Sequence, residues 1–188
     1  MKLAPMLGLK RRTASHNERS TMLSTSWRSK RACHLRKMLR EAKRLKLADA
    51  CDVFIDKGYY TIEEGRALLE EARRLGFALK LHADELENTE SAALACELGA
   101  LSADHLLKIS DRGIQALANA PKTVATLLPG TAFYLRESQA PARRLIEAGA
   151  CVALSTDFNP GTCPTLHLPT VLTHAALGLG MTRAELFA

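Results

Sequence analysis

Five short apolar runs punctuate the chain, starting near residues 51, 78, 101, 123 and 151, and most stop abruptly at polar or titratable side chains. The first is Cys51 to Asp56. Ala78 to Leu81 runs into His82, Asp84 and Glu85, and Leu101 to Asp104 runs into His105. Thr123 to Leu128 is broken by Pro129-Gly130, and Cys151 to Thr156 leads to Asp157. Continuous apolar runs of this length predict strands buried on both faces. Between them apolar residues return at helical spacing, as at Leu68, Leu69, Ala72 and Leu75. Stop and start signals bracket these helices. Thr61 with Glu64 reads as a capping box and Gly76 as a C-cap. A helix from about Glu90 ends at Gly99, Ser110 or Asp111 caps the next, and Pro141 opens one that Gly149 closes. A helix after Pro164 carries His167 and His174, seven residues apart and so on one face, read as scaffold. Thr182 and Glu185 open a further capping box close to the last residue, which gives the chain the look of one cut short there.

The strand starts are separated by 27, 23, 22 and 28 residues, the spacing of consecutive βα units in a parallel sheet. Five units are too few to close an eight-stranded barrel. In such sheets chemistry collects at the carboxyl ends of the strands. His82, Glu85, His105 and Asp157 are therefore expected to converge on one mouth. A divalent metal bound by His and Asp could polarise a carbonyl and activate water, with a nearby acid or imidazole moving protons. A histidine taken alone at a strand end is more often hydrogen-bonded scaffold than a ligand, and it is the company of the others that changes the reading. In the loop after the last strand, Asn159 offers an amide and the Gly161-Thr162 peptide a backbone donor, a cradle for a substrate carboxylate. The same residues also favour a plain turn.

Charge divides the chain. Residues 1 to 50 hold 14 Lys and Arg against 3 acids, whereas residues 51 to 188 hold 12 against 17. Residues 1–46 are accordingly read as a basic, poorly ordered segment with one helix, His34 to Leu47, and residues 47–188 as the folded unit. The segment lacks a nucleic-acid motif and is poor in stacking aromatics, so nucleic acid is not expected as a partner. Five scattered cysteines with no Cys-x-x-Cys pair support neither a disulfide framework nor a zinc knuckle. Cys163, beside the cradle, has no basic neighbour to activate it and reads as a filler. No run approaches the roughly 20 apolar residues of a membrane span. The expectation is a soluble, cytoplasmic protein with a small-molecule substrate, free to form a homo-oligomer.

LHADE, SADHLL, LLPGTAFYL and ALSTDFNPGTCPT, in this order and spacing, resemble the second half of the imidazolonepropionases, a family of metal-dependent amidohydrolases. The resemblance runs from about Leu47 to Ala188. It implies an α/β fold, a partial (β/α)8 TIM barrel of the amidohydrolase type with strands 4 to 8. It also implies hydrolysis of 4-imidazolone-5-propanoate to N-formimidoyl-L-glutamate, a step of histidine degradation. By motif, His82 and Asp157 would be metal ligands, the metal being zinc or iron. Glu85 would contact substrate and help activate water, His105 would assist proton transfer, and Asn159, Gly161 and Thr162 would hold the propanoate arm. Another mononuclear amidohydrolase such as a deaminase would share His82, Glu85, His105 and Asp157.

The chain also departs from the family pattern. Its histidines stand at 16, 34, 82, 105, 167 and 174, without the first-strand His-x-His pair that supplies the other two ligands. The Arg and Tyr that grip substrate from the first half are missing too. A chain with these gaps is expected to be inactive by itself.

Overall fold

The structure is a computed structural model that describes residues 30–187. Expectations for residues 1–29, His16 among them, lie outside the described residues. After a helix α1 (Lys30–Arg44), five strands alternate with helices: β1 (Ala50–Ile55), α2 (Ile62–Arg74), β2 (Ala78–Ala83), α3 (Ser91–Leu98), β3 (Ser102–His105), α4 (Asp111–Ala118), β4 (Val124–Leu127), α5 (Pro129–Leu135), α6 (Ala142–Glu147), β5 (Val152–Leu154), α7 (Leu168–Gly178) and α8 (Arg183–Leu186). The strands form one sheet in chain order, every pair parallel. This is the α/β arrangement of a partial (β/α)8 barrel, with β1 and β5 at its two edges.

The sheet has two unlike faces, so the expectation of continuous apolar strands is corrected. Side chains alternate across a strand. Val53, Ile55, Leu79, Leu81, Ala83, Ala103, Ala125 and Leu127 enter the core on one face. Asp52, Lys80, His82, Ser102, Asp104 and Thr126 fall on the other, by alternation and register. Helices seal the apolar face, where each fully buried Leu or Ile contributes roughly 1.5–3 kcal/mol. The polar face is the interior wall of a barrel.

Local signals set the helix positions. The Thr61–Glu64 capping box forms in both directions at 3.2 Å. Gly65 lets α2 approach β1 closely, since a Cβ there would lie 2.3 Å from Ile55 Cδ1. Ser110 Oγ accepts from Gly113 N at 3.0 Å to cap α4. The fourth strand stops before Pro129, as expected, and that proline opens α5, where its missing N–H costs nothing. The expectation for the two histidines of one helix is corrected. His167 lies just before α7, its Nδ1 2.9 Å from Thr170 Oγ1, while His174 sits inside the helix and stacks on Phe133.

The basic segment is corrected over its described part. Its helix is α1, starting and ending a few residues earlier than the apolar stripe suggested. Leu35, Leu39 and Ala42 pack against the core. Lys43 Nζ donates to the Gly76 carbonyl at 2.7 Å and sits over the Phe77 ring. A stripe at helical spacing was enough to dock this helix despite its charge.

Candidate metal centre and active site

The strand ends bring together the side chains that the sequence singles out. His82, on the polar face of β2, and His105, at the tip of β3, have ring centroids 5.1 Å apart. Asp157 follows β5, with its Oδ2 4.0 Å from His105 Nε2. Ligand atoms of His82, His105 and Asp157 all lie within 4.8 Å of one another. Glu85 Oε1 is 3.5 Å from His105 Nδ1. Alternation from Ala103 would send His105 toward the helices. Positive φ at His105 (79°) and Leu106 (64°) breaks that alternation and turns its ring into the site. Asp157 is likewise at φ 50°. Backbone of this kind is sparsely populated and gathers at functional sites.

Two buried carboxylates shape the loop that carries Glu85. Asp56, at the end of β1 and 3% exposed, accepts from the backbone N–H groups of Glu85 (3.0 Å), Leu86 (2.7 Å), Glu87 (3.1 Å) and Lys57 (2.7 Å). Asp84, fully buried, accepts from Thr89 N (2.8 Å), Ser91 N (3.2 Å) and Ala92 N (3.1 Å). It thereby caps α3, whose own N-cap residue, Glu90, makes no side-chain cap. Sequence reasoning missed Asp56 and passed over Asp84's role. The sequence gives no signal for this, since Asn88, Thr89 and Ser91 all stand as ordinary cap candidates around the helix start.

Burial, reinforced by Asp157 and Asp56 and opposed by His82, pushes the Glu85 carboxyl up to about 7. Burial and the neighbouring His82 push His105 down to about 3. For His82 burial works against the charged form, but Asp52, Asp104 and Asp157 outweigh it and raise the pKa. His105 is 2% exposed, and neither ring nitrogen has a hydrogen-bond partner. Buried polar atoms left unpartnered cost stability unless something else engages them. Two imidazoles and a carboxylate form a donor set suited to a transition-metal cation, so the residues fit a metal. Thr131 Oγ1 donates to Asp157 Oδ2 at 2.6 Å and holds that carboxylate in place.

The loop beyond Asp157 closes on itself. Asn159 Oδ1 accepts from Gly161 N (2.9 Å) and Thr162 N (2.7 Å), and its Nδ2 donates to Thr162 Oγ1 (2.8 Å) and to the Asp157 carbonyl (2.9 Å). The Gly161-Thr162 donors expected to face a carboxylate are therefore taken by the Asn159 side chain, the usual behaviour of Asn in a turn. A substrate anion would have to displace that oxygen. Cys163 is buried behind this turn, against Gly130.

No family model matches the chain. It is 49% identical over 151 residues to the imidazolonepropionase of Fusobacterium nucleatum, covering 80% of this chain and 36% of that protein. It is 51% identical over 150 residues to that of Porphyromonas gingivalis, covering 80% and 35%. The chain is a relative of the imidazolonepropionases. It spans about a third of the length of the curated relatives it matches. The matched stretch holds more residues than Leu47 to Ala188, so the likeness extends upstream of Leu47. Among solved structures, the N6-methyl-AMP deaminase of Arabidopsis thaliana superposes with TM-score 0.62 at 16% identity, over 81% of this chain and 47% of that one. An adenosine deaminase of Xanthomonas campestris with bound zinc gives 0.56 at 15% identity, over 74% and 34%. At these identities the superpositions speak for the fold alone. Among the described residues no helix is long and apolar enough to cross a membrane.

Proposed function

We propose that this chain carries the carboxyl-side part of a metal-dependent cyclic-amide hydrolase acting on 4-imidazolone-5-propanoate, with N-formimidoyl-L-glutamate as product. The observation that carries the reading is the His82–His105–Asp157 cluster with Glu85 beside it, in a chain about half identical to imidazolonepropionases. His82 and Asp157 would hold zinc or iron, with His105 close enough to join them or to serve the substrate. When bound, such an ion supplies Lewis acidity to a carbonyl and lowers the pKa of water toward about 7.

The protein's own groups supply the proton chemistry. Glu85, titrating near 7, matches the requirement for a general base and acid at neutral pH. It would take a proton from the attacking water and deliver it to the ring nitrogen as the C–N bond breaks. His105, held neutral by burial, presents an imidazole to the oxygen of the scissile carbonyl. Asn159 with Gly161 and Thr162 would receive the propanoate once the internal turn opens. Thr131 keeps Asp157 from rotating out of the cluster.

Three donor residues on an open five-stranded sheet favour a second statement, that the chain alone is a poor catalyst. A catalytic zinc commonly keeps three protein ligands and one open position, and taking His105 as the third removes the imidazole assigned to the scissile carbonyl. The test is to load the purified chain with zinc or iron, measure bound metal, and follow loss of the substrate's ultraviolet absorbance. Metal uptake is expected, and is expected to disappear in His82→Ala and Asp157→Ala. Absence of uptake by the unaltered chain refutes the metal-centre reading, and rapid turnover refutes the statement of weak activity.

A further inference from the structure

We infer that Asp52 is a positioning residue for His82: it accepts the Nδ1 proton of the ring and so reserves Nε2 as the metal-binding nitrogen. This rests on the metal-centre reading of His82. Asp52 lies on β1, two residues before Phe54, which pairs with His82 in the parallel register. Both side chains fall on the polar face, and Asp52 Oδ2 comes to 2.9 Å from His82 Nδ1. The contact is at ion-pair distance without the alignment of a finished hydrogen bond.

A second carboxylate is also near. Asp104 pairs with His82 in the β2–β3 register and shares a cluster with Asp52 and His82. Its Oδ2 is claimed by Lys80 Nζ at 2.9 Å, and the same ammonium also reaches Ser102 Oγ. The two acids thus divide the two nitrogen donors on this face, Lys80 to Asp104 and His82 to Asp52. A neutral imidazole has one protonated nitrogen and one lone pair, and the partner of the first decides which nitrogen is free to ligate. A carboxylate in that place fixes both tautomer and ring orientation. Nothing in the sequence flags Asp52, since its partner is 30 residues away on the next strand.

The test uses the full chain, free of metal, with 15N-labelled histidine, at a pH where the rings are neutral. Long-range 1H–15N correlation reads the tautomer of His82, assigned by its loss in His82→Gln. The unaltered chain should carry the proton on Nδ1. In Asp52→Asn, with circular dichroism unchanged, the proton should spread over both nitrogens. Zinc affinity, read by competition with a chromophoric chelator, should fall about 10–100-fold. A proton on Nε2 in the unaltered chain overturns the inference, and does so even if the variant does not fold. Unchanged tautomer and zinc affinity in Asp52→Asn overturn it as well. A fixed Nδ1–H that Asp52→Asn releases, in a chain that takes up no zinc, supports the positioning role and defeats the metal-centre reading instead.

Discussion

Replacing Asp56 by alanine should be among the most damaging single changes available, although Asp56 touches no substrate in the proposed scheme. Its carboxylate gathers four backbone N–H groups at 2.7–3.1 Å. A hydrogen bond to a charged group is worth about 1.5–3 kcal/mol. Lys57, Leu86 and Glu87 are exposed, so their amides recover water when the carboxylate goes. The amide of the buried Glu85 remains, and one such bond gives a loss of about 1.5–3 kcal/mol. Domains of this size are stable by only about 5–15 kcal/mol, so Asp56→Ala should remove a sizeable share of the total. Asp56→Asn keeps one acceptor oxygen but turns an NH2 toward a donor, and should lose about half as much. The assay is urea unfolding followed by circular dichroism. A second readout is the Glu85 titration by carboxyl NMR. Asp56 helps hold the Glu85 pKa up, so Asp56→Asn should lower it. A destabilisation below about 1 kcal/mol for alanine, or a Glu85 pKa that does not fall in the Asn variant, refutes this account of the loop.

Gly65→Ala should destabilise by about 1–3 kcal/mol through overpacking, because the new Cβ meets Ile55 Cδ1 at 2.3 Å and Cγ1 at 2.6 Å; thermal melts check this against the roughly 1 kcal/mol that alanine gains in a helix. For pH dependence of the metal-free chain the two site groups act in opposite directions. Glu85 is raised from 4.5 to about 7, so its contribution is complete below about 4.5 and lost as pH rises through 7. His105 is lowered from 6.5 to about 3, so its contribution is complete above about 6.5 and lost as pH falls through 3. Melting temperatures should flatten the alkaline decline in Glu85→Gln and the acid decline in His105→Gln; identical profiles would contradict the assignments. Limited trypsin digestion should spare Arg36 to Arg44 while α1 stays docked, and Leu39→Asp should expose them.

Much of the scaffold was legible because its determinants are local. Thr61 with Glu64 and Thr182 with Glu185 form their capping boxes in full, and Gly76, Gly99 and Gly149 take the positive φ that helix exits call for. The strand spacing gave the sheet order because consecutive βα units leave few alternatives. What the sequence concealed acts at a distance or against the pattern. Asp56 binds amides 29 to 31 residues away, which no window along the chain can reveal. The polar wall of Asp52, Lys80 and Asp104 was hidden inside runs that read as apolar. His105 reaches the site through a backbone twist that strand alternation argues against. The Asn159 turn was visible, but whether its amides face a ligand or their own side chain depends on a few degrees of loop geometry.

The acids at this end of the sheet fall into three groups, and the division bears on the metal proposed there. Asp56 and Asp84 are neutralised by backbone N–H groups and serve the loop and α3. Asp104 and Asp52 are answered by Lys80 and His82 on the polar face. Glu85 and Asp157 are left with no lysine or arginine at ion-pair distance among the described residues, only the ring of His105, which burial keeps neutral. Part of the upward shift of Glu85 comes from Asp157 itself. Beyond that neutral imidazole only His82 offsets the two carboxylates, and one lysine or arginine could have done so directly. The sequence instead spends its nearby lysine one layer lower, on Asp104. A site that gives Glu85 and Asp157 no lysine or arginine, keeps its imidazole unprotonated and leaves its buried ring nitrogens without partners suits the cation proposed for it.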